Sequence, residues 1–115
     1  MTRREIAQII AGIGLPYAYD HFEAEDGRHP QGPPFICFLY PYRDDLMADN
    51  VNYAPITALT VELYTDEVDF ALEDRTEAAL AAAGLTYGKS GPTYIDSEKM
   101  YLTTYNTEVL INAQE

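Results

Sequence analysis

Residues 60–111 decide the fold of this chain and read TVELYTDEVDFALEDRTEAALAAAGLTYGKSGPTYIDSEKMYLTTYNTEVLI. At the start of this stretch, the apolar residues Leu59, Val61 and Leu63 alternate with other side chains. Successive side chains of a strand point to opposite faces of its sheet. The alternation therefore predicts an antiparallel strand with one buried face. The side chains expected on its other face are Ala58, Thr60, Glu62 and Tyr64.

A second helix is predicted directly after this strand. Asp66 is the expected N-cap residue, and Glu67 and Asp69 fall in the first turn, where the helix dipole favours negative charge. Alanine has the highest helix propensity, and Gly84 predicts the C-terminal end. The inner stripe of this helix is expected to be Leu72, Thr76, Ala79, Leu80 and Ala83.

The rest of the stretch predicts a tyrosine-rich hairpin. Ser90, Gly91 and Pro92 form a turn signal between two short extended segments, residues 85–89 and 93–96. Residues 100–111 are predicted to form a long final strand.

The amino-terminal part of the chain predicts another helix, a short strand and a long loop. Thr2 and Glu5 fit a capping box at the start of the helix, and Gly14 supplies its stop. Residues 17–22 predict a short strand. Residues 23–34 are rich in charge, Gly and Pro, which makes them a candidate contact arm. The apolar residues of the helix recur at i, i+3, i+4 and i+7 and are Ile6, Ile9, Ile10 and Ile13.

The middle of the chain adds strands to the sheet. Residues 35–40, FICFLY, are apolar on both faces, as in a central strand that is covered on each side or faces a partner subunit. Residues 43–50 predict a polar connection, and Pro55 interrupts the extended character that follows. The order of elements predicts one α+β domain spanning residues 1–115, with a mainly antiparallel sheet and both helices on one face.

The chain is strongly acidic, with 19 Asp and Glu against 7 Lys and Arg and a net charge of −12. Binding to phosphate backbones requires clustered basic side chains, so we expect no direct sequence-specific binding of nucleic acid. Such a field favours basic partners or cations, and it would let DNA slide through a passage without adhering. Solubility is the alternative explanation of the acidity.

Cysteine and tyrosine usage add two further expectations. The single Cys37 excludes an internal disulfide, and its apolar surroundings predict a buried, inert thiol in a reducing compartment. Ten tyrosines stand beside four phenylalanines and no tryptophan. Tyrosine is enriched at protein interfaces, although a small β-rich core also uses it at sheet edges. We predict neither a signal peptide nor a membrane span.

Two groups of residues suggest metal binding, and neither pattern is sufficient. Imidazole and carboxylate groups together suit a divalent cation. The first group lies in or beside a loop too rich in Pro and Gly for a rigid site, so an exposed charged loop is the preferred interpretation; it comprises Asp20, His21, Glu23, Glu25, Asp26 and His29. The second lacks the central glycine and terminal glutamate of a calcium loop and comprises Asp44, Asp45, Asp49 and Asn50.

Catalytic groups are equally unspecific. The candidates for paired carboxylates are Glu62, Asp66 and Glu98, but nineteen acids in a short chain form such pairs by chance. Ser90 and Ser97 lack the context of an activated nucleophile. We therefore predict no catalytic residue, no metal site, no cofactor and no enzymatic activity.

Several segments resemble a known protein family. They are residues 34–41 (PFICFLYP), 61–66 (VELYTD), 94–101 (YIDSEKMY) and 107–111 (TEVLI), together with residues 15–19 (LPYAY) and the amino-terminal helix. In this order they resemble the small tail-completion or tail-terminator proteins of tailed phages and prophages of Gram-positive bacteria. The similarity covers most of the chain, and it consists of fold-pattern and turn residues.

The resemblance implies a structural α+β subunit that assembles as a homo-oligomeric ring, with a hexamer as the expected form. Such a ring caps the tail tube and helps to join it to the head, so the implied partners are the tail tube protein and a head-completion or connector protein. The implied location is the tail or neck of the virion, and the host cytoplasm during assembly. We expect neighbouring subunits to extend the sheet through residues 35–40 or 100–111.

Two other functional classes remain open. A monomeric protein-binding or regulatory module would share the fold and carry a contiguous exposed patch of tyrosines. A small metal-dependent enzyme would bring His21 and His29 together in one pocket.

Overall fold

A computed structural model describes residues 1–22, 32–48, 51–54 and 56–111 of the chain. Within these residues it contains two helices and seven strands, and no helix is long and apolar enough to cross a membrane. The elements are, in order, α1 (Arg3–Ala11), β1 (Tyr17–Tyr19), β2 (Phe35–Leu39), β3 (Leu46–Ala48), β4 (Val51–Ala54), β5 (Ile56–Thr65), α2 (Phe70–Ala82), β6 (Gly88–Ile95) and β7 (Met100–Leu110).

Five of the strands form one mixed sheet in the order β1-β2-β5-β7-β6. β1 runs parallel to β2, and the other three pairings of this sheet are antiparallel. β3 and β4 pair with each other in a separate two-stranded sheet. The predicted α+β class is therefore confirmed, with a sheet that is mixed because of the β1 pairing.

One core joins the helices to the sheet. Ile6 and Ile10 of α1 and Leu80 of α2 belong to the same buried cluster as Val61 and Leu63 of β5. The predicted inward residues Leu59, Val61 and Leu63 are each at most 1% exposed. Burying such side chains contributes roughly 1.5–3 kcal/mol each, so this face of the sheet supplies most of the hydrophobic stabilisation.

Helix α1 begins as its sequence predicts, but it ends at Ala11 with Gly12 as its C-cap, earlier than the predicted stop at Gly14. Thr2 is the N-cap, and its hydroxyl accepts a hydrogen bond from the Glu5 amide while Glu5 accepts one from the Thr2 amide. Gly14 has φ +90, a left-handed conformation that favours glycine. Arg75 of α2 donates a hydrogen bond to the carbonyl of Ile13, which ties the end of α1 to the second helix.

Helix α2 begins later than predicted. Its N-cap is Asp69, whose carboxylate accepts a hydrogen bond from the Leu72 amide at 3.1 Å, and Asp66 lies outside the helix. The error has a simple cause, because both aspartates suit an N-cap and only the packing of the helix chooses between them. Gly84 has φ +77 and follows the helix as predicted. Thr76 and Leu80 are fully buried, and Glu73 is unexpectedly buried as well.

The segment around Ser90, Gly91 and Pro92 is not a turn. β6 continues through it, with a shift in the pairing register between Ser90 and Thr93 opposite β7. Gly91 adopts φ +94, so the turn chemistry of this tripeptide produces a bulge inside the strand. The connection to β7 lies at residues 96–99, where the amides of Glu98 and Lys99 donate to the carbonyl of Ile95.

One further expectation for the middle of the chain was wrong, and the sheet topology bears on the expected contact between subunits. β3 lies within the segment 43–50 that was predicted to be a connection, because residues 46–48 pair with β4. β2 and residues 100–106 of β7 are paired on both sides within the sheet, whereas residues 107–110 of β7 extend beyond β6 and pair with β5 alone. Extension of a neighbouring subunit's sheet is therefore disfavoured along β2 and residues 100–106 of β7, whose backbone groups already bond within the chain.

Candidate functional site

A small cavity of about 320 Å³ opens on the face of the sheet opposite the helices. It lies where β2, β5, the start of β7 and the 96–99 turn meet. Its wall combines aromatic, acidic and sulfur-containing side chains. They are Asp20, His21, Phe35, Cys37, Tyr64, Ile95, Ser97, Glu98 and Met100.

The register of β2 against β5 builds the floor of this cavity. Phe35 lies opposite Tyr64, and Cys37 lies opposite Glu62. Side chains two residues apart on one strand share a face, so these four groups point away from the helices. The Phe35 and Tyr64 rings stack, with centroids 4.8 Å apart and planes at 16°, and Phe22 packs edge-on against Phe35 at 5.4 Å.

Glu62 is a half-buried carboxyl group beside the cavity. Burial raises its pKa above 4.5, the nearby Asp20 charge adds to the effect, and a hydrogen bond from Tyr64 opposes it. The Tyr64 hydroxyl donates to Oε1 of Glu62 at 3.2 Å. Tyr64 itself has a raised pKa, first because of burial and then because of the Glu62 and Glu98 charges. Negative charge thus accumulates around partly desolvated groups.

Cys37 is buried as its sequence context predicts, with an exposed fraction of 3%. Burial raises the pKa of its thiol to about 11, and the charges of Glu62 and Asp20 add to the rise. The thiolate is the reactive form of cysteine, so this thiol is a poor nucleophile at neutral pH.

His21 forms a local pair with its neighbour. Its Nδ1 lies 2.9 Å from Oδ2 of Asp20, a residue that adopts φ 65. Glu23, Glu25, Asp26 and His29 lie outside the described residues, as do Asp49 and Asn50 of the calcium-like group, so neither proposed ligand set can be assessed as a whole. Among residues 1–22, 32–48, 51–54 and 56–111, no three His, Cys, Asp or Glu side chains come close enough to hold a metal ion.

The three acids considered for paired-carboxylate chemistry lie on three different segments of the fold. Glu62 lies on β5, Asp66 is exposed after the end of that strand, and Glu98 lies on the 96–99 turn. Ser97 lines the cavity beside Glu98, whereas Ser90 lies on the exposed edge strand β6. The charges of Glu62 and Glu98 both raise the pKa of Tyr64.

A second, more open hollow of about 700 Å³ lies toward the other end of β7. Tyr42, the 84–88 segment and residues 106–108 line it. Glu108 is the one charged group among the described residues that form its wall. The hollow therefore has one acidic side chain in its wall, whereas the cavity near Tyr64 has two.

A polar network between α2 and the sheet was not predicted. The Lys89 ammonium lies 2.8 Å from carboxylate oxygens of both Glu73 and Glu77. The hydroxyl of the fully buried Tyr105 donates to Glu77 at 2.9 Å. Glutamates four residues apart repel each other on a helix, so their spacing is unfavourable without a nearby cation, but it does not identify Lys89 as that cation. This network stabilises the docking of α2 and leaves no open site.

Exposed tyrosines mark both edges of the five-stranded sheet. Tyr17 and Tyr19 on β1 are 43% and 51% exposed, and Tyr94 on β6 is 47% exposed. β1 and β6 occupy opposite ends of the strand order. Four strand spacings of about 4.8 Å place these edges about 19 Å apart. The tyrosines therefore form two separate surfaces.

No protein family profile and no curated protein sequence matches this chain.

Proposed function

We propose that this chain is a structural subunit of a phage or prophage tail, of the tail-completion or tail-terminator type, and that it acts in a homo-oligomeric ring. In this role it caps the tail tube and helps to join the tube to the head. The observation that carries the proposal is the pair of tyrosine-bearing edges at opposite ends of the sheet.

A subunit in a ring needs two different surfaces, one for each neighbour. The β1 edge presents Tyr17 and Tyr19, and the β6 edge presents Tyr94. Tyrosine combines a large apolar ring with a polar tip, which suits contacts that are exposed before assembly and buried afterwards. We infer that contact between neighbours uses these side chains. Extension of the sheet is disfavoured on the β6 side, where Pro92 and the bulge at Gly91 interrupt regular pairing.

The charge of the chain fits a subunit that surrounds a DNA passage. A net charge of −12 repels phosphate groups, so DNA would pass such a ring without adhering to it. The resemblance of residues 34–41, 61–66, 94–101 and 107–111 to tail-completion proteins supports the same role.

Light scattering coupled to size-exclusion chromatography tests the ring. We expect the mass to rise with concentration from the 12.9 kDa of one chain toward a closed multiple of it, with a hexamer as the end point. Adding a phage tail tube protein should promote the ring and shift both proteins into one peak. A chain that stays monomeric at high concentration and ignores the tube protein contradicts the proposal.

A second candidate function is a monomeric protein-binding module, and one surface favours it. Val68, which precedes the N-cap of α2, and Phe70, its first residue, are 41% and 69% exposed and are flanked by acidic residues. An exposed aromatic side chain within a charged rim is typical of an anchor for a protein partner. If the mass remains 12.9 kDa and F70S abolishes binding to a partner, this second function replaces the ring.

A further inference from the structure

We propose that the open edge of strand β7 binds an extended segment of a protein partner, with a basic side chain placed opposite Glu108. The open edge is the side of residues 107–110 that faces away from β5. This inference goes beyond the proposed function, because it uses neither the β1 edge nor the β6 edge of the sheet.

Strand β7 is longer than its neighbour β6. The first residue of β6 is Gly88, which lies opposite Asn106, whereas the pairing of β7 with β5 continues to Leu110. Residues 107–110 therefore pair with β5 on one side and with no described strand on the other. A strand that is paired along one side only is a template for a further strand.

The hydrogen bonds of β5 show which way the backbone of this segment points. Ala58 lies opposite Glu108, yet its amide donates to the carbonyl of Tyr42, on the side of β5 where β2 lies. The carbonyl of Ile56, opposite Leu110, likewise accepts a hydrogen bond from that side. Opposite residues in an antiparallel pair either exchange both hydrogen bonds or exchange none. The backbone groups of Glu108 and Leu110 therefore point away from β5, toward the open edge.

Three of these four backbone groups have no partner in the part of the chain that the structure describes. The carbonyl of Leu110 accepts a hydrogen bond from the amino-terminal ammonium group of Met1 at 3.2 Å. The N–H and C=O of Glu108 and the N–H of Leu110 remain. A second strand presents N–H and C=O groups at the matching spacing, as in recognition by strand addition. The geometry of the edge therefore selects an extended backbone as the ligand.

A hollow beside the open edge leaves room for such a strand. It is the hollow of about 700 Å³ that is lined by Tyr42, residues 84–88 and residues 106–108. The connection from α2 to β6 borders it and is tied to β7 by the hydroxyl of Thr107, which donates to the carbonyl of Thr86. A strand added to β7 would lie about 4.8 Å from it and would occupy this hollow.

The open edge lacks the features that protect the exposed edge of β6. β6 carries Pro92 and the bulge at Gly91, which both interrupt regular pairing. Residues 107–110 read TEVL and contain neither proline nor a break in their register with β5. Regular pairing with a further strand is therefore possible along this edge.

Two side chains select what the added strand carries. Glu108 and Leu110 lie on the face of the sheet opposite the helices, and both are exposed. Opposite charges and apolar pairs directly across a ladder are stabilising. Both neighbours of β7 are antiparallel to it. An antiparallel ligand would therefore carry an apolar residue opposite Leu110, two positions before a basic residue opposite Glu108.

Charge also separates a protein partner from a second copy of this chain. A second copy carries the same net charge of −12, and its own open edge presents glutamate rather than a basic side chain. Like charges across a ladder are destabilising, and the overall repulsion adds to this cost. The ligand is therefore assigned to a different protein with a basic strand.

Amide hydrogen exchange of the chain alone tests whether the edge is open. The amides of Thr107 and Val109 face β5, whereas the amide of Glu108 faces the open edge. We expect a protection factor about tenfold lower at Glu108 than at Thr107 or Val109. Equal protection of the three amides overturns the proposal.

An amide NMR titration with a short peptide tests binding. The probe is acetyl-Thr-Val-Thr-Lys-Thr-amide, in which valine and lysine have the spacing that the edge requires. We expect saturable shifts of the Glu108 and Leu110 amides, larger than any shift at Tyr94 on β6. The matched control carries a methyl group on the backbone nitrogen of its lysine, which removes the donor to the Glu108 carbonyl, so we expect about tenfold weaker binding. No shift, an equal shift at Tyr94, or equal binding of the methylated peptide overturns the proposal.

Reversal of charge tests the basic residue. Glutamate in place of the lysine of the peptide should weaken binding to the unchanged chain about tenfold. E108K changes an exposed side chain and should reverse this preference. If the unchanged chain binds both peptides equally, or E108K keeps the original preference, the assignment of a basic partner strand is wrong.

Dilution of the chain without peptide distinguishes the two occupants. Shifts of the Glu108 and Leu110 amides with concentration, as large as those with peptide, would show that a second copy occupies the edge and would overturn the assignment to a partner. Ring formation through β1 and β6 should instead shift the amides of Tyr17 and Tyr94. Failure of either proposal is therefore visible separately from failure of the other.

Discussion

The ammonium nitrogen of Lys89 lies 2.8 Å from Oε1 of Glu73, although the side chain of Glu73 is only 3% exposed. The same nitrogen lies 2.8 Å from Oε2 of Glu77, which also accepts a hydrogen bond from Tyr105. The hydrogen bond from Lys89 lowers the pKa of Glu77, an effect that burial partly opposes. The pKa of Lys89 is raised by its hydrogen bonds to Glu73 and Glu77. Strand β6 thus holds α2 on the sheet through one shared cation.

Replacing this cation should destabilise the fold. K89M leaves Glu73 buried without its partner, so we expect a loss of roughly 1–3 kcal/mol in the free energy of unfolding, below the full cost of a buried pair because Lys89 is 34% exposed. Urea denaturation at pH 7 measures the loss. K99M, in the exposed 96–99 turn, is the control and should change stability by less than about 0.5 kcal/mol. Equal losses in K89M and K99M would show that the network contributes nothing.

Sequence patterns predicted the helices and strands better than the contacts between them. The capping box at Thr2 and Glu5 fixed the start of α1, because capping depends on residues three positions apart. Asp66 and Asp69 are equivalent as local signals, and the choice of Asp69 depends on how α2 packs. The network around Lys89 was beyond prediction for the same reason. It joins residues 12 and 16 positions apart through the register of β6, which no local pattern specifies.

The cavity near Tyr64 was also only partly predictable from the sequence. Alternation in β5 placed Glu62 and Tyr64 on one face, which was predicted. Their contact with Phe35 and Cys37 requires the β2 register, and Met100 arrives through β7. The Gly91 bulge was mistaken for a turn because Gly-Pro signals a change in backbone direction without specifying its size.

The pH dependence of E62Q should have a defined sign. A carboxyl group whose pKa is raised on folding penalises the folded state when it is ionised, and the penalty disappears once both states are protonated. Burial raises the pKa of Glu62 above 4.5. E62Q should therefore be more stable than the unchanged chain at pH 7, and the difference should fade as the pH falls through the raised pKa toward 4.5. Urea denaturation across this range measures it, and a lower stability of E62Q at pH 7 contradicts the burial argument.

Gly14 and Arg75 should be energetically coupled. A Cβ at position 14 would lie 2.9 Å from a terminal nitrogen of Arg75, the group that donates to the Ile13 carbonyl. G14A should cost about 1–2 kcal/mol for the left-handed backbone and about 1 kcal/mol more for the displaced hydrogen bond. G84A is the control, because Gly84 has φ +77 with nothing within 4 Å.

Thermal and urea unfolding of G14A, R75A and the double variant measure this coupling. In the R75A background, G14A should cost no more than G84A does, because the obstructing side chain is gone. If G14A costs the same with and without Arg75, the two residues are independent.

The bulge in β6 should depend on glycine at one position only. A Cβ on Gly91 would lie 2.6 Å from the carbonyl oxygen of Leu102, and φ is +94 there. We expect G91A to lose roughly 2–4 kcal/mol of stability, from the backbone strain and the clash together. Gly88 lies on the same strand with nothing within 4 Å, so G88A should change stability by less than about 0.5 kcal/mol. Similar effects of G88A and G91A in urea denaturation would remove the steric explanation.

The ring proposal makes its sharpest prediction at the two sheet edges. Y17S and Y94S each remove an exposed aromatic side chain, one from β1 and one from β6. Because each ring contact joins the β1 edge of one subunit to the β6 edge of the next, either change damages every contact, and we expect about tenfold weaker association. Sedimentation velocity across concentration measures this loss of association.

Y42S is the control, since Tyr42 is 62% exposed and lies on neither edge strand. Mixing the two variants tests the heterologous arrangement. Y17S keeps an intact β6 edge and Y94S keeps an intact β1 edge, so one molecule of each can still form a single contact. A symmetric dimer would not be restored in this way. If Y42S weakens association as much as Y17S and Y94S do, the edges are not the contact surfaces.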